Sequence, residues 1–145
     1  MIAQKLVTVV CDAVPGADKF ITIPQMQIFL QQLQKKTELH VEEAMRAIIL
    51  LQRFIARQQK KNAKVIKVSN VGTLIIVSFI LAMKLSHEKT HKNQFFANMF
   101  GIHLGHLNRS EISFLLIIDF ELWADIENYS LLEEVPQINE TIITQ

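Results

Sequence analysis

Between Lys67 and Lys84 the chain carries sixteen residues without a charge, VSNVGTLIIVSFILAM, and this run limits the possible folds more than any other feature. Most of it must be shielded from water, either by a bilayer or by the rest of the protein. A bilayer span needs about 20 predominantly apolar residues. This run is shorter and includes Ser69, Asn70, Gly72, Thr73 and Ser78. The expectation is therefore a helix from about Ser69, a possible N-cap, to Leu85, buried on all sides at the centre of a helical domain. A chain of 145 residues, 50% hydrophobic and 20% charged, can build one such core and not two. Four Gly and three Pro are too few for the corners of a many-stranded sandwich or barrel, so the fold class is all-α.

Four further helices follow from spacing. The first opens at Ile23-Pro24, with Thr22 or Ile23 preceding a proline in the first turn, and Met26, Phe29, Leu30 and Leu33 recur at helical intervals. In the second, Ala44, Ala47, Ile48, Leu51, Phe54 and Ile55 make one apolar face, with Glu42 and Glu43 near the positive end and Arg57 near the negative end. The basic stretch from Arg57 to Lys67 is expected to be a solvated loop. The apolar run is the third helix, and a short fourth spans about Asn93 to Met99, closed by Phe100-Gly101. The fifth runs from Leu104 or Gly105 to Phe120. Its Leu107, Phe114, Leu115, Ile117, Ile118 and Phe120 predict burial of most of its girth. Beyond Trp123 the chain turns acidic, with Asp125, Glu127, Glu133, Glu134 and Glu140 and no base. That tail is expected to be a loosely packed extension with Leu131 and Leu132 as apolar anchors.

Charge and motifs exclude several functions. A net charge of +1 supplies no global field for nucleic acid or an anionic membrane. The opening apolar stretch, Leu6 to Cys11, is too short for a secretory core. Cys11 is the single cysteine and cannot form an internal disulfide, so an intracellular compartment, cytoplasmic or nuclear, is expected. No catalytic residue and no cofactor is expected, because the phosphate-cradling and esterase-type glycine motifs are missing. One string matches a metal motif: His87-Glu88-Lys89-Thr90-His91 is H-E-x-x-H, and Glu111 is a conceivable third zinc ligand of a peptidase. Lys89 and Lys92 make the segment polar, where zincin helices pack into a core. An exposed loop is the expectation, with no metal.

With five helices placed, the chain resembles the cyclin box, most closely the Pho-type (P/U-type) cyclins that consist essentially of one such box. The resemblance is strongest over NQFFANMFGIHLGHLNRSEISFLLIIDFEL, Asn93 to Leu122, which looks like the family's fourth and fifth helices. Leu107, Asn108, Arg109, Glu111, Phe114, Leu115, Asp119, Phe120 and Leu122 fall in register with its motif. Upstream, Leu81-Ala82-Met83-Lys84-Leu85 is similar to the family's A-A-K-F at the end of a buried third helix. Gly72-Thr73 stands where a His-Arg pair is often found, and Ser86-His87-Glu88 where acidic residues often follow the lysine. Met45-Arg46-Ala47-Ile48-Ile49 looks like the M-R-A-I-L docking string of cell-cycle cyclins, but it lies on the second helix rather than the first and is read as coincidence.

The resemblance implies a five-helix box over residues 20–123, an N-terminal extension over 1–19 and the acidic tail over 124–145, too short for a second box. It implies a non-catalytic regulator that binds and activates a cyclin-dependent protein kinase by positioning the kinase's C helix, without nucleic acid or membrane as partner. Lys84 and Glu111 are then the polar pair that meets the kinase backbone, with Leu81, Ala82, Leu115, Phe120 and Leu122 as an apolar seat. Two other readings stay open: Lys84 and Glu111 paired with each other, and Leu81 or Leu115 serving only as core. A helical adaptor and a cyclin-fold transcription factor using the Arg57 to Lys67 stretch are the alternatives in function, ahead of the zinc peptidase.

Overall fold

The uncharged run forms the helix around which the others assemble. In a computed structural model describing residues 2–87 and 90–123, the order is α1 (Ile2–Ala13), α2 (Ile23–Thr37), α3 (Val41–Lys60), α4 (Val71–Ser86), α5 (Asn93–Phe100) and α6 (Leu104–Ile117), with a 3-10 turn at Ala17–Lys19. Among the described residues there is no strand. The five helices read from the sequence are α2 to α6. None of the described helices is long and apolar enough to cross a membrane.

α4 is sheathed by α3 on one side and α6 on another. Val71, Leu74, Ile75, Val77 and every residue from Phe79 to Met83 are buried, each large side chain contributing about 1.5–3 kcal/mol by leaving water. Ser78 is also fully buried and donates from Oγ to the Ile75 carbonyl at 2.7 Å, so its hydroxyl is satisfied within its own helix. The ring of Phe29 from α2 meets Phe79 edge-on at 5.1 Å, and Phe54 from α3 stacks on Phe114 from α6 at 4.7 Å.

The helix ends follow local chemistry. Thr22 Oγ1 accepts from Gln25 N at 3.4 Å while Gln25 Oε1 accepts from Thr22 N at 3.3 Å, a reciprocal cap that opens α2 ahead of Pro24. Glu43 Oε1 accepts from His40 N at 2.9 Å at the start of α3. The residue at the N-cap position of α4 is Asn70 rather than Ser69. Its amide ties the preceding loop, accepting from Lys67 N at 2.7 Å and donating to the Val65 carbonyl at 2.7 Å. Buried Gln58 completes that loop by accepting from Val65 N and Ile66 N, each at 3.0 Å. The basic stretch is thus partly helical: α3 continues to Lys60, and an ordered turn follows.

Two further expectations change, both at α6, and the N-terminal segment proves helical. Residues 2–13, read as part of an extension, form α1, which packs on α2 and α3 and buries Ala3, Leu6 and Val10. Most of the girth of α6 is not buried. Leu107, Phe114 and Ile118 reach the core, whereas Ile112 and Leu116 are each 56% exposed, because α4, α5 and the edge of α3 cover one side only. That helix also stops at Ile117, three residues before Phe120. The acidic tail, residues 124–145, lies outside the described residues.

Candidate functional site

Lys84 is the charged residue that ends the apolar surface of α4, and it points along the flank of α6. Its Nζ lies 2.8 Å from Glu111 Oε2, with side-chain exposures of 37% and 15%. Glu111 Oε1 accepts from Asn93 Nδ2 at 3.0 Å, and the same amide group donates to Asn108 Oδ1 at 2.9 Å. Three helices thereby contribute to one polar cluster: α4 with Lys84, α5 with Asn93, and α6 with Asn108 and Glu111. The alternative in which Lys84 and Glu111 pair with each other is the arrangement found in the free chain. Asn93 and Asn108 were not assigned to the site from sequence, although both belong to the Asn93 to Leu122 stretch that carries the resemblance.

The residues expected to form the apolar seat separate into two groups. Leu81 and Ala82 are 4% and 0% exposed and lie within the core rather than on the surface, since α4 is central. Leu115 and Leu122 are partly buried, and Phe120 is 61% exposed. Next to them Trp123, 82% exposed, extends the apolar surface; it had been read only as the end of the box.

Phe120 is displayed by a turn that basic residues of α3 and its C-cap, Lys61, grip. Lys61 Nζ contacts Asp119 Oδ1 at 2.6 Å and the Leu116 carbonyl at 3.2 Å. Arg57 reaches Asp119 Oδ2 at 3.2 Å and Glu121 Oε2 at 2.7 Å, and Arg53 donates to the Glu121 carbonyl at 2.6 Å. The hydrogen bond from Lys61, with the charges of Lys61 and Arg57, holds the Asp119 carboxyl below its ordinary range. The bond to Glu121 pushes the Arg57 guanidinium up, and burial pulls that of Arg53 down. Arg57 and Lys61 had been read as part of a solvated loop and Arg53 had not been singled out; the signal available was the i, i+4 spacing of Arg53 and Arg57 on α3, continued by Lys61 at its C-cap.

His87 and His91 part company. His87 follows α4, its Nε2 2.6 Å from Oε2 of buried Glu43. His91 stacks on Phe95 with ring centroids 3.9 Å apart. Both lie outside the helices, Glu88 is not among the described residues, and no group of three metal-ligating side chains occurs among the described ones.

An all-helical domain assembled around one buried central helix fits the cyclin-box fold. The chain belongs to the cyclin family: the family model described as Cyclin matches residues 19–122, more than half of its length. It is similar to Cyclin-U2-1 of Arabidopsis thaliana, 27% identical over 106 residues covering 72% of this chain and 46% of the relative. It is also similar to Cyclin-P1-1 of Oryza sativa subsp. japonica, 29% identical over 75 residues, 52% of this chain and 28% of the relative. Cyclin-U3-1 of Arabidopsis thaliana is 32% identical over 69 residues, 48% of this chain and 31% of the relative. The chain spans less than half the length of these curated relatives. No solved structure matches it at comparable stringency.

Proposed function

We propose that this chain is a non-catalytic regulatory subunit that binds a cyclin-dependent protein kinase, in an intracellular setting, and stabilises its active arrangement. The observation that carries the reading is the Lys84–Glu111 pair, fixed by Asn93 at the end of the buried helix and accompanied by exposed Phe120. An ammonium group offers donors and a carboxylate offers acceptors, so the pair can exchange its mutual contact for backbone groups of a partner. Leu115, Phe120, Leu122 and Trp123 supply apolar area beside that polar edge, as in the core and rim of a recognition surface.

The regulator works by differential affinity. Binding the kinase more tightly with its C helix inward shifts the population toward the state in which the kinase's own Lys–Glu pair and activation loop are in place. The transcription-factor alternative is weakened, since two of the five bases from Arg57 to Lys67, Arg57 and Lys61, are matched by Asp119 and Glu121. The test is calorimetry and a phosphotransfer assay with a panel of purified cyclin-dependent kinases. A one-to-one complex that raises kinase activity is expected; a chain that binds none and stimulates none overturns the reading.

A further inference from the structure

We infer that Arg57 and Lys61 are positioning residues of the partner-binding face, holding the Asp119–Phe120 turn in a strained shape that presents Phe120 to the partner. This rests on the kinase-binding reading above and adds residues outside the contact surface that the reading requires.

The turn closes α6 with an unusual residue at each step. Asp119 N donates to the Leu116 carbonyl at 3.2 Å and Phe120 N to the Leu115 carbonyl at 2.8 Å, the paired bonds of a Schellman ending. The first left-handed position of that ending is normally glycine, but here it is Asp119, with φ 56°. Phe120 follows it into the same region with φ 59°. Aspartate tolerates this backbone and a bulky aromatic does not, so two adjacent residues of this kind form a strained segment. Such strain persists only where the surroundings over-determine it.

Burial of Phe120 does not supply that restraint, because the side chain is 61% exposed. The restraint comes from α3. Lys61 and Arg57 grip the two oxygens of the Asp119 carboxylate from one side, and Arg57 and Arg53 hold Glu121 from the other. Lys61 and Arg57 also bond the Leu116 and Ile118 carbonyls at the negative end of α6, where positive charge is favourable. The clamp thus fixes the backbone on both sides of an aromatic ring that has little to hold it in the free chain. A tie made only to join α3 to α6 would not need Phe120 in a disfavoured conformation facing solvent. A surface that must offer this ring in one orientation does, because ordering it beforehand lowers the cost of association.

The test is a mutant cycle in the full chain. NMR of the free protein reads the backbone of Asp119 and Phe120, and calorimetry reads affinity for the kinase that the wild-type chain binds most tightly. Arg57→Ala with Lys61→Ala should move both residues out of the left-handed region, leave the resonances of Phe54 and Phe114 in place, and weaken binding by about tenfold or more. Arg57→Lys with Lys61→Arg should keep the turn and most of the affinity. Phe120→Ala should weaken binding comparably, and combining it with the alanine pair should add little, since residues acting through one another are not additive. Should the alanine pair fail to fold, Asp119→Asn removes the gripped charge from the other side and enters the same cycle. Additive losses, or a released turn with unchanged affinity, overturn the inference while leaving the kinase reading intact. A wild-type chain that binds no kinase overturns both.

Discussion

Lys84 Nζ lies 2.8 Å from Glu111 Oε2, joining the end of the central helix to the middle of α6. The carboxylate is also held by Asn93, so the pair is oriented before any partner arrives. If it is the polar edge of the kinase contact, replacing both residues by Ala should lower stability by about 1–3 kcal/mol, because Glu111 is largely buried and its loss leaves one donor of the Asn93 amide without an acceptor. Binding should fall by a factor of tens to thousands, as when a charged group buried by a complex is truncated. Thermal melts and calorimetry read the two quantities. Arg57 is unsuitable as a control because it is engaged with Asp119 and Glu121, so exposed Lys35→Ala with Lys36→Ala serves instead.

Phe114 is fully buried and stacks on Phe54 at 4.7 Å. Phe114→Ala should cost about 3–5 kcal/mol in urea unfolding. Ile112→Ala, two residues away on the exposed side of the same helix, should change stability by less than about 0.5 kcal/mol. Similar losses at the two positions would contradict the orientation of α6.

Glu43 is 2% exposed; its Oε1 accepts from His40 N, and its Oε2, which makes no hydrogen bond among the described residues, lies 2.6 Å from His87 Nε2. His87→Ala removes the imidazole beside a buried carboxylate oxygen and should lower stability by about 1 kcal/mol. A double-mutant cycle with Glu43→Ala, measured by urea unfolding at neutral pH, should show coupling. Independent effects would mean that the imidazole contributes nothing to holding the acid.

Asp119 loses its proton more readily in the folded chain than in the unfolded one because Lys61 and Arg57 stabilise its charge. Its contribution is therefore complete above the ordinary aspartate range and is lost as pH falls through the depressed value. The stability gap between wild type and Asp119→Asn should be widest near neutrality and close over that acidic window. A gap independent of pH would show that the carboxylate's charge does not act in the clamp.

Burial raises the pKa of the Cys11 thiol, with Asp18 and Asp12 adding to the shift. The thiolate fraction at neutral pH is thereby lowered, and the native chain should react with a thiol reagent more slowly than the unfolded chain does. Equal rates would place Cys11 in an open, unperturbed setting.

The uncharged run before Lys84 determined a central buried helix, since only encasement satisfies so many consecutive apolar side chains, and the apolar spacings around it located α2, α3, α5 and α6. The resemblance carried by Asn93 to Leu122 marked Lys84 and Glu111. Tertiary structure decided the rest. Residues 1–19 had been left outside the box by the bounds of the resemblance, and only the docking of α1 on α2 and α3 shows Ala3, Leu6 and Val10 to be core. Leu81 and Ala82 lie inside because α3 and α6 close over them. The end of α6 was misplaced because Asp119 takes a position where glycine is the usual signal. Arg57 and Lys61 looked solvated because their acceptors lie 55 to 64 residues away. Periodicity records which face of a helix avoids water, whereas the partner of a surface charge is set by whichever element the fold brings beside it.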